Sequence, residues 1–347
     1  MSIMMDEIAQ QPAALSGLRK YYTSPGAIPA SALRRLVTHW PPTVVFTGMG
    51  SSLFAAYPAQ AFLNSLGIRA LVWETAELLH HHLKFLGPDT LLVAVSQSGE
   101  TVEIIHLLDA LPAKLRMAAV VNAEGSTLAR RSSLLLPMMA GPQRAASTKT
   151  YTCAVAVLMY LGFAIARKPQ RTLTQELKLA IDAQEKILER ADVLTPPAAE
   201  FFDAPPYVAL MSRGADLASV YQGALMFKEV ARLGAEAISA AQFRHGPIEI
   251  IHSTHRYVII ARQGKTGKFL LKLADDIRAH GGRVLLLTDL PFEDIAHVRL
   301  IQVEPLRLGL GTLVDSLHIQ LLTHELALRA GLDPGQFRIA EDVTLEE

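Results

Sequence analysis

Cysteine occurs once in this chain, at Cys153. That excludes an intrachain disulfide framework and any paired-cysteine metal site. Charge of one sign is lacking too: 33 basic residues balance 33 acidic ones, and aromatics make up only 6%. The basic face with interleaved aromatics that marks a nucleic-acid binder is therefore missing. The longest apolar run, Thr152 to Ala166, falls short of the roughly 20 residues that cross a bilayer. It reads as a buried helix, with Cys153 a core residue rather than a nucleophile. The N-terminus carries Asp6 and Glu7 with no basic segment ahead of an apolar core, unlike a secretory signal. The expectation is a cytoplasmic protein with no membrane and no nucleic-acid partner.

What is present fits an α/β globular protein. The chain has 347 residues, half of them hydrophobic and 19% charged, which suggests two domains. Strand-like runs at Thr43–Phe46, Arg69–Trp73, Leu91–Val95, Ala118–Val121 and Leu134–Pro137 alternate with helical patterns, the signature of a doubly wound parallel sheet. A second set begins at Tyr207–Met211 and continues at Tyr257–Ala261, Arg283–Leu287 and Arg299–Val303. The expected division is N-terminal helices over 1–35, a first domain over 36–170, a linker helix over 171–200, a second domain over 201–330 and a tail over 331–347. Pro196-Pro197 and Pro205-Pro206 punctuate the chain between the two sets.

Chemistry concentrates in two loops of the first half. Leu91-Leu92-Val93-Ala94-Val95 ends in Ser96-Gln97-Ser98-Gly99-Glu100-Thr101, followed by a helical pattern. A strand apolar on both faces, then hydroxyls and one glycine at a helix start, suits an anion: the first helical N–H groups lack partners and the dipole adds positive potential. A plain helix cap by Ser98 or Thr101 is the alternative. A second loop of the same kind, Thr47-Gly48-Met49-Gly50-Ser51-Ser52 after Val44-Val45-Phe46, favours the phosphate cradle. A dinucleotide fits poorly, because no acidic residue closes a clear next strand; Glu74 is the nearest. The two halves also align as a diverged repeat at an offset of about 166 residues. Arg262 and Gly264 stand where the first half has Ser96 and Ser98, so the first half keeps the anion site and the second has drifted to another job.

Several motifs in order then point to a family. Met5-Asp6-Glu7-Ile8 through Gln11-Pro12, Gly50-Ser51-Ser52, Ser96–Thr101, Ala146-Ser147-Thr148-Lys149, Lys228-Glu229 with Ala235-Glu236, and Gln242-Phe243-Arg244-His245-Gly246-Pro247 run along nearly the whole chain. With these the chain resembles double-SIS-domain sugar-phosphate isomerases, specifically the isomerase domain of glucosamine-6-phosphate synthase. The resemblance implies two tandem flavodoxin-like three-layer sandwiches. It implies a sugar-phosphate pocket of Gly50, Ser51, Ser52, Ser96, Gln97, Ser98, Thr101, Ala146 and Ser147, with Lys149 a possible phosphate contact. It makes Glu229 the catalytic base and His245 the group that assists ring opening. In the family that histidine comes from the neighbouring subunit, so a homodimer with shared active sites is expected. No cofactor and no metal is implied.

The departures bear on the reaction. The family's C-terminal imine-forming lysine is replaced by Glu341, expected near the sugar, and a carboxylate forms no imine. A second family lysine one turn before the catalytic glutamate is Met226, and an acidic residue of that helix is Gln222. The sequence shows no glutaminase domain and no leading cysteine, so glutamine-dependent synthesis is not expected. Three reactions suit the remaining set: aldose–ketose isomerisation, deamination of an amino-sugar phosphate, and deglycation of a fructosamine phosphate. A non-catalytic sugar-phosphate sensor is the competing class. The consecutive His80-His81-His82 point in different directions along a helix and do not converge on one ion, and His252 and His255 fall in a loop without an acidic partner.

Overall fold

The computed structural model describes residues 2–112, 115–293 and 295–339. Two five-stranded, all-parallel sheets carry the fold. In the first, β1 (Thr43–Gly48), β2 (Ala70–Glu74), β3 (Thr90–Ser96), β4 (Met117–Val121) and β5 (Leu134–Pro137) lie in the order β2-β1-β3-β4-β5. In the second, β6 (Val208–Ser212), β7 (Ala235–Ser239), β8 (Arg256–Ala261), β9 (Arg283–Thr288) and β10 (Val298–Gln302) lie in the order β10-β9-β8-β6-β7. Read from the other edge this is the same winding, with β6 in the place of β1 and β8 in the place of β3. The internal repeat is thus a repeat of topology. Each sheet reverses direction between its first and third strands, and the crevice at that point is where doubly wound sheets hold ligands.

The apolar runs explain the strands. Every residue of β3 is buried, as a central strand covered by helices on both faces requires. β7 escapes a reading from pattern alone, because Ala235-Glu236-Ala237-Ile238-Ser239 is half-exposed at the sheet edge and has one clear apolar anchor. The apolar run after Thr148 forms the helix Lys149–Ile165, buried around almost its whole circumference. It packs against the helices Gln11–Tyr22 and Tyr57–Ser65, and Phe163 stacks on Phe62 at 4.5 Å. Cys153 is fully buried there, its thiol pushed up to about 12 by burial. No helix of the described residues is long and apolar enough to cross a membrane.

By contacts the chain divides into one unit of Gln10–Lys178 and another of Leu179–Phe337 that also takes in the residues up to Ala9. This departs from the partition read from the sequence at the N-terminus, while the division itself falls within the expected linker over 171–200. The helix Ile3–Ala9 packs against the helix Gly311–Arg329, so it goes with the C-terminal unit and not with a separate N-terminal block. The division falls inside the helix Gln170–Leu188, and Pro196 and Pro197 lie within a second helix, Ala191–Phe202. The expected position of Glu341 lies outside the described residues, as does all of Ala340–Glu347.

Candidate active site

In the N-terminal unit the two loops singled out from the sequence meet at the C-terminal edge of the sheet, where its winding reverses. Adjacent β1 and β3 deliver Gly50-Ser51-Ser52 and Ser96–Thr101 side by side. The approach is close: a Cβ on Gly48 would stand 2.8 Å from the Val95 carbonyl oxygen. Gly50 opens the helix Gly50–Phe54 at φ +48, a conformation that costs glycine little.

The Ser96–Thr101 loop is held by its own polar groups. Ser96 Oγ accepts from the Gly99 N–H at 3.0 Å and Ser98 Oγ from the Glu100 N–H at 3.2 Å. The Gln97 carbonyl accepts from the N–H groups of Asn122 and Ala123, and Glu100 accepts from the Thr127 N–H at 2.6 Å. Gly99 sits at φ +66, and any Cβ there would run into Ser126 Oγ at 2.2 Å. Two of the three hydroxyl oxygens therefore accept locally while their O–H hydrogens stay available to a ligand. Thr101 is the exception. It precedes the helix Val102–Ala110 but makes no side-chain cap, and its buried Oγ1 has no partner among the described residues. A hydroxyl at this position ordinarily caps the helix. Here it is buried with its hydrogen-bonding capacity unspent.

Ala146 and Ser147 join the same edge, because the helix they precede, Lys149–Ile165, packs on Gly50–Phe54. Gln143, which the motif reading passed over, staples this segment. Its Nε2 donates to the Ala146 carbonyl at 3.1 Å, and its Oε1 accepts from the N–H and the hydroxyl of Thr150, each at 3.2 Å. Ser147 Oγ lies 3.1 Å from Thr150 Oγ1. Lys149 is buried and its Nζ donates to Gln10 Oε1 at 2.5 Å, so in this structure the ammonium is engaged within the unit. The cradle is made of neutral donors.

The C-terminal unit carries Glu229 and His245, and holds them apart. Glu229 ends the helix Leu217–Glu229, which leaves the C-terminal end of β6 and returns to the start of β7. His245 follows β7 and the short helix Ala240–Phe243. One residue therefore lies at the N-terminal edge of the sheet and the other at its C-terminal edge. β7 alone, with five residues, separates them by about 13 Å at the usual strand rise. Within one chain they form no pair. Burial pushes the Glu229 carboxyl up to about 7 against the opposing pull of the Lys228 charge, and it has no hydrogen-bond partner among the described residues. His245 is exposed, beside a pocket of about 160 Å³ that Arg213, Arg244 and Phe269 also line.

At the second sheet's own reversal point the drift noted in the sequence has a physical form. Arg262 stands there almost fully buried, donating through Nε to Asp315 Oδ2 at 3.2 Å and through its terminal nitrogens to Asp315 Oδ1 and the Glu304 and Gly311 carbonyls. Asp289 Oδ2 is 3.8 Å away. Asp216 is pushed up to about 7 by burial and by Asp315, with Arg262 opposing. An internal guanidinium–carboxylate cluster occupies the place that holds hydroxyls in the first unit. Arg262 was legible as a replacement for Ser96; its partner Asp315, 53 residues on, was not.

Comparison with known proteins agrees with this architecture. Residues 38–164 match the model of the SIS domain. The N-terminal unit carries a SIS domain. The chain is 30% identical over 309 residues to a glutamine–fructose-6-phosphate aminotransferase (isomerizing) from Thermus thermophilus, a match covering 86% of this chain and 51% of that protein. The chain spans about half the length of such curated relatives. Among solved structures, the C-terminal domain of glucosamine-fructose-6-phosphate aminotransferase from Francisella tularensis superposes with a TM-score of 0.87 at 21% identity, over 96% of this chain and 98% of that one. A glucosamine-6-phosphate deaminase from Thermotoga maritima superposes with a TM-score of 0.76 at 19% identity, over 99% of both chains. Both likenesses are of fold.

Proposed function

We propose that this protein is an enzyme that shifts a proton on a hexose 6-phosphate or an amino-sugar 6-phosphate. The observation that carries the reading is the Ser96–Thr101 loop at the reversal point, with Thr101 Oγ1 buried and unspent at a helix start. Neutral donors and the helix N-terminus suit a phosphate group without drawing on a fixed cation. The relatives support the substrate class, since their names carry fructose 6-phosphate and glucosamine 6-phosphate.

Glu229 is the proposed base. A carboxyl near 7 is matched to taking a proton from a carbon beside a carbonyl and returning it to the neighbour at neutral pH. His245, exposed on its own protomer, is the proposed ring-opening acid or base, supplied from a second copy. The opposite placement of Glu229 and His245 in one unit favours that exchange between copies. Gly50, Ser51, Ser52, Ser96, Gln97, Ser98, Thr101, Ala146 and Ser147 are the proposed substrate contacts, and Glu341 is a further one.

Deglycation of a fructosamine 6-phosphate is the second reading. Glu341 takes the place of the imine-forming lysine of the family, and a substrate that brings its own amine has no need of that lysine. A turnover assay on purified protein separates the readings. Glucosamine 6-phosphate, fructose 6-phosphate and a fructosamine 6-phosphate are offered singly while ammonia, aldose and free amine are followed. Ammonia from the first marks a deaminase, aldose from the second an isomerase, and amine from the third a deglycase. Tight calorimetric binding without turnover of any of them would replace the enzyme by a sugar-phosphate sensor.

A further inference from the structure

A second pocket, built wholly from the C-terminal unit, lies where β9 and β10 end and along the exposed edge strand β10. It measures about 560 Å³, a size usual for small-molecule sites. One wall is aliphatic, with Ile187, Leu194, Leu300 and Val303; Arg190 and Arg299 stand at the mouth. Neither arginine has an ion-pair or hydrogen-bond partner for its side chain among the described residues.

His318 lies on the floor. It is only 8% exposed and lines the pocket, yet its ring has no hydrogen-bond partner among the described residues. As a lining residue the ring faces the open pocket, where a ligand can meet its nitrogens. Burial and the nearby Arg262 charge hold the imidazole down at about 4. It is therefore neutral at physiological pH and able to donate one hydrogen bond and accept another.

The acidic groups of the lining are already committed. Asp289 accepts from the Gln263 N–H at 2.7 Å and lies 3.8 Å from Arg262, and Glu304 pairs with Lys186 at 3.6 Å. What remains for a ligand is two unpaired guanidinium groups, one neutral imidazole and an apolar wall. Guanidinium forks match a phosphate in geometry and charge.

We infer that this pocket binds a small organic phosphate of mononucleotide size, with Arg190 and Arg299 on the phosphate, His318 on a polar group of the ligand body, and the aliphatic wall against its ring. Neither the Ser96–Thr101 cradle nor Glu229 contributes to its lining, so its ligand is assigned as an effector and not as the substrate proposed above.

Calorimetry on the full chain tests this, with adenosine 5′-monophosphate, uridine 5′-monophosphate and inorganic phosphate as probes. At least one nucleotide is expected to bind at millimolar concentration or below, and at least tenfold more tightly than inorganic phosphate. The double variant Arg190→Ala/Arg299→Ala should lose tenfold or more of that affinity. Both side chains are exposed and unpaired, so its unfolding midpoint should match the wild type. Ser98→Ala/Thr101→Ala should leave nucleotide binding unchanged, which separates this site from the cradle. No binding by wild type, or affinity kept in the arginine variant and lost in the Ser98/Thr101 variant, overturns the inference.

Discussion

Glu229 and His245 stand at opposite edges of one parallel sheet, the first where the helix after β6 ends and the second just past β7. The proposed base and ring-opening group, so placed, serve a common substrate only when a second copy supplies one of them. Glu229→Gln and His245→Ala should each lower kcat by a hundredfold or more. When the two variants are co-expressed under separate tags and the mixed species is purified, activity should return to about half of wild type, because one of its two sites regains both groups. A mixed species as inactive as its parents would place both groups in a single protomer.

The cradle makes a different demand. Thr101 Oγ1 is buried and unpaired, so Thr101→Val removes no hydrogen bond from the folded chain. Its unfolding midpoint should stay level with wild type or rise slightly, while affinity for the sugar phosphate falls about tenfold or more, as for a lost bond to a charged group. Calorimetry with fructose 6-phosphate beside thermal unfolding checks both halves. A variant that loses stability and keeps affinity would make Thr101 a structural cap.

Much of this was legible in the sequence, for identifiable reasons. β3 announced itself because a central parallel strand is apolar on both faces, and the Ser96–Thr101 loop followed because a helix start after such a strand is a polar event in an apolar context. The halves aligned because β1 and β6, and β3 and β8, occupy equivalent places in the winding. β7 was missed because an edge strand needs little apolar pattern. The division falls within the expected linker over 171–200, but Pro196 and Pro197, which looked like punctuation, lie within a helix. Asp315 was missed because its partner Arg262 lies 53 residues away, and spacing along the chain carries no trace of that pairing.

The cluster at the second reversal point should be costly to break. Arg262 is bound to Asp315, which is fully buried, and lies beside Asp289. Arg262→Leu leaves those carboxylates in the interior without their counter-charge and should lower stability by about 3–5 kcal/mol in denaturant unfolding. Arg262→Leu/Asp315→Leu should recover much of that loss, since neither charge of the closest pair is then stranded. Equal losses in the single and double variants would show that the packing of the guanidinium matters and its charge does not.

Glu229 ties stability to activity through pH. Its carboxyl lies near 7 in the folded chain against an ordinary 4.5, because burial disfavours the ionised form more than Lys228 favours it. Between those two values the folded state holds more protons than the unfolded one, so this group's contribution to stability falls as pH rises through the window and stays low above it. Glu229→Gln removes the contribution. The variant should be about 1–2 kcal/mol more stable than wild type in alkaline buffer, allowing for partial solvent screening, and the gain should vanish toward pH 4.5. Catalysis runs the other way. A base must be ionised, so kcat/KM of the wild type should rise with pH through an apparent value near 7 on its acid limb. The protein thus gives up stability in the pH range where the proposed base is active. Denaturant unfolding of both proteins across that range, beside the pH–rate profile, checks both limbs. A variant whose stability tracks the wild type at every pH would mean that the Glu229 carboxyl titrates as an ordinary surface group and is not held ready for proton transfer.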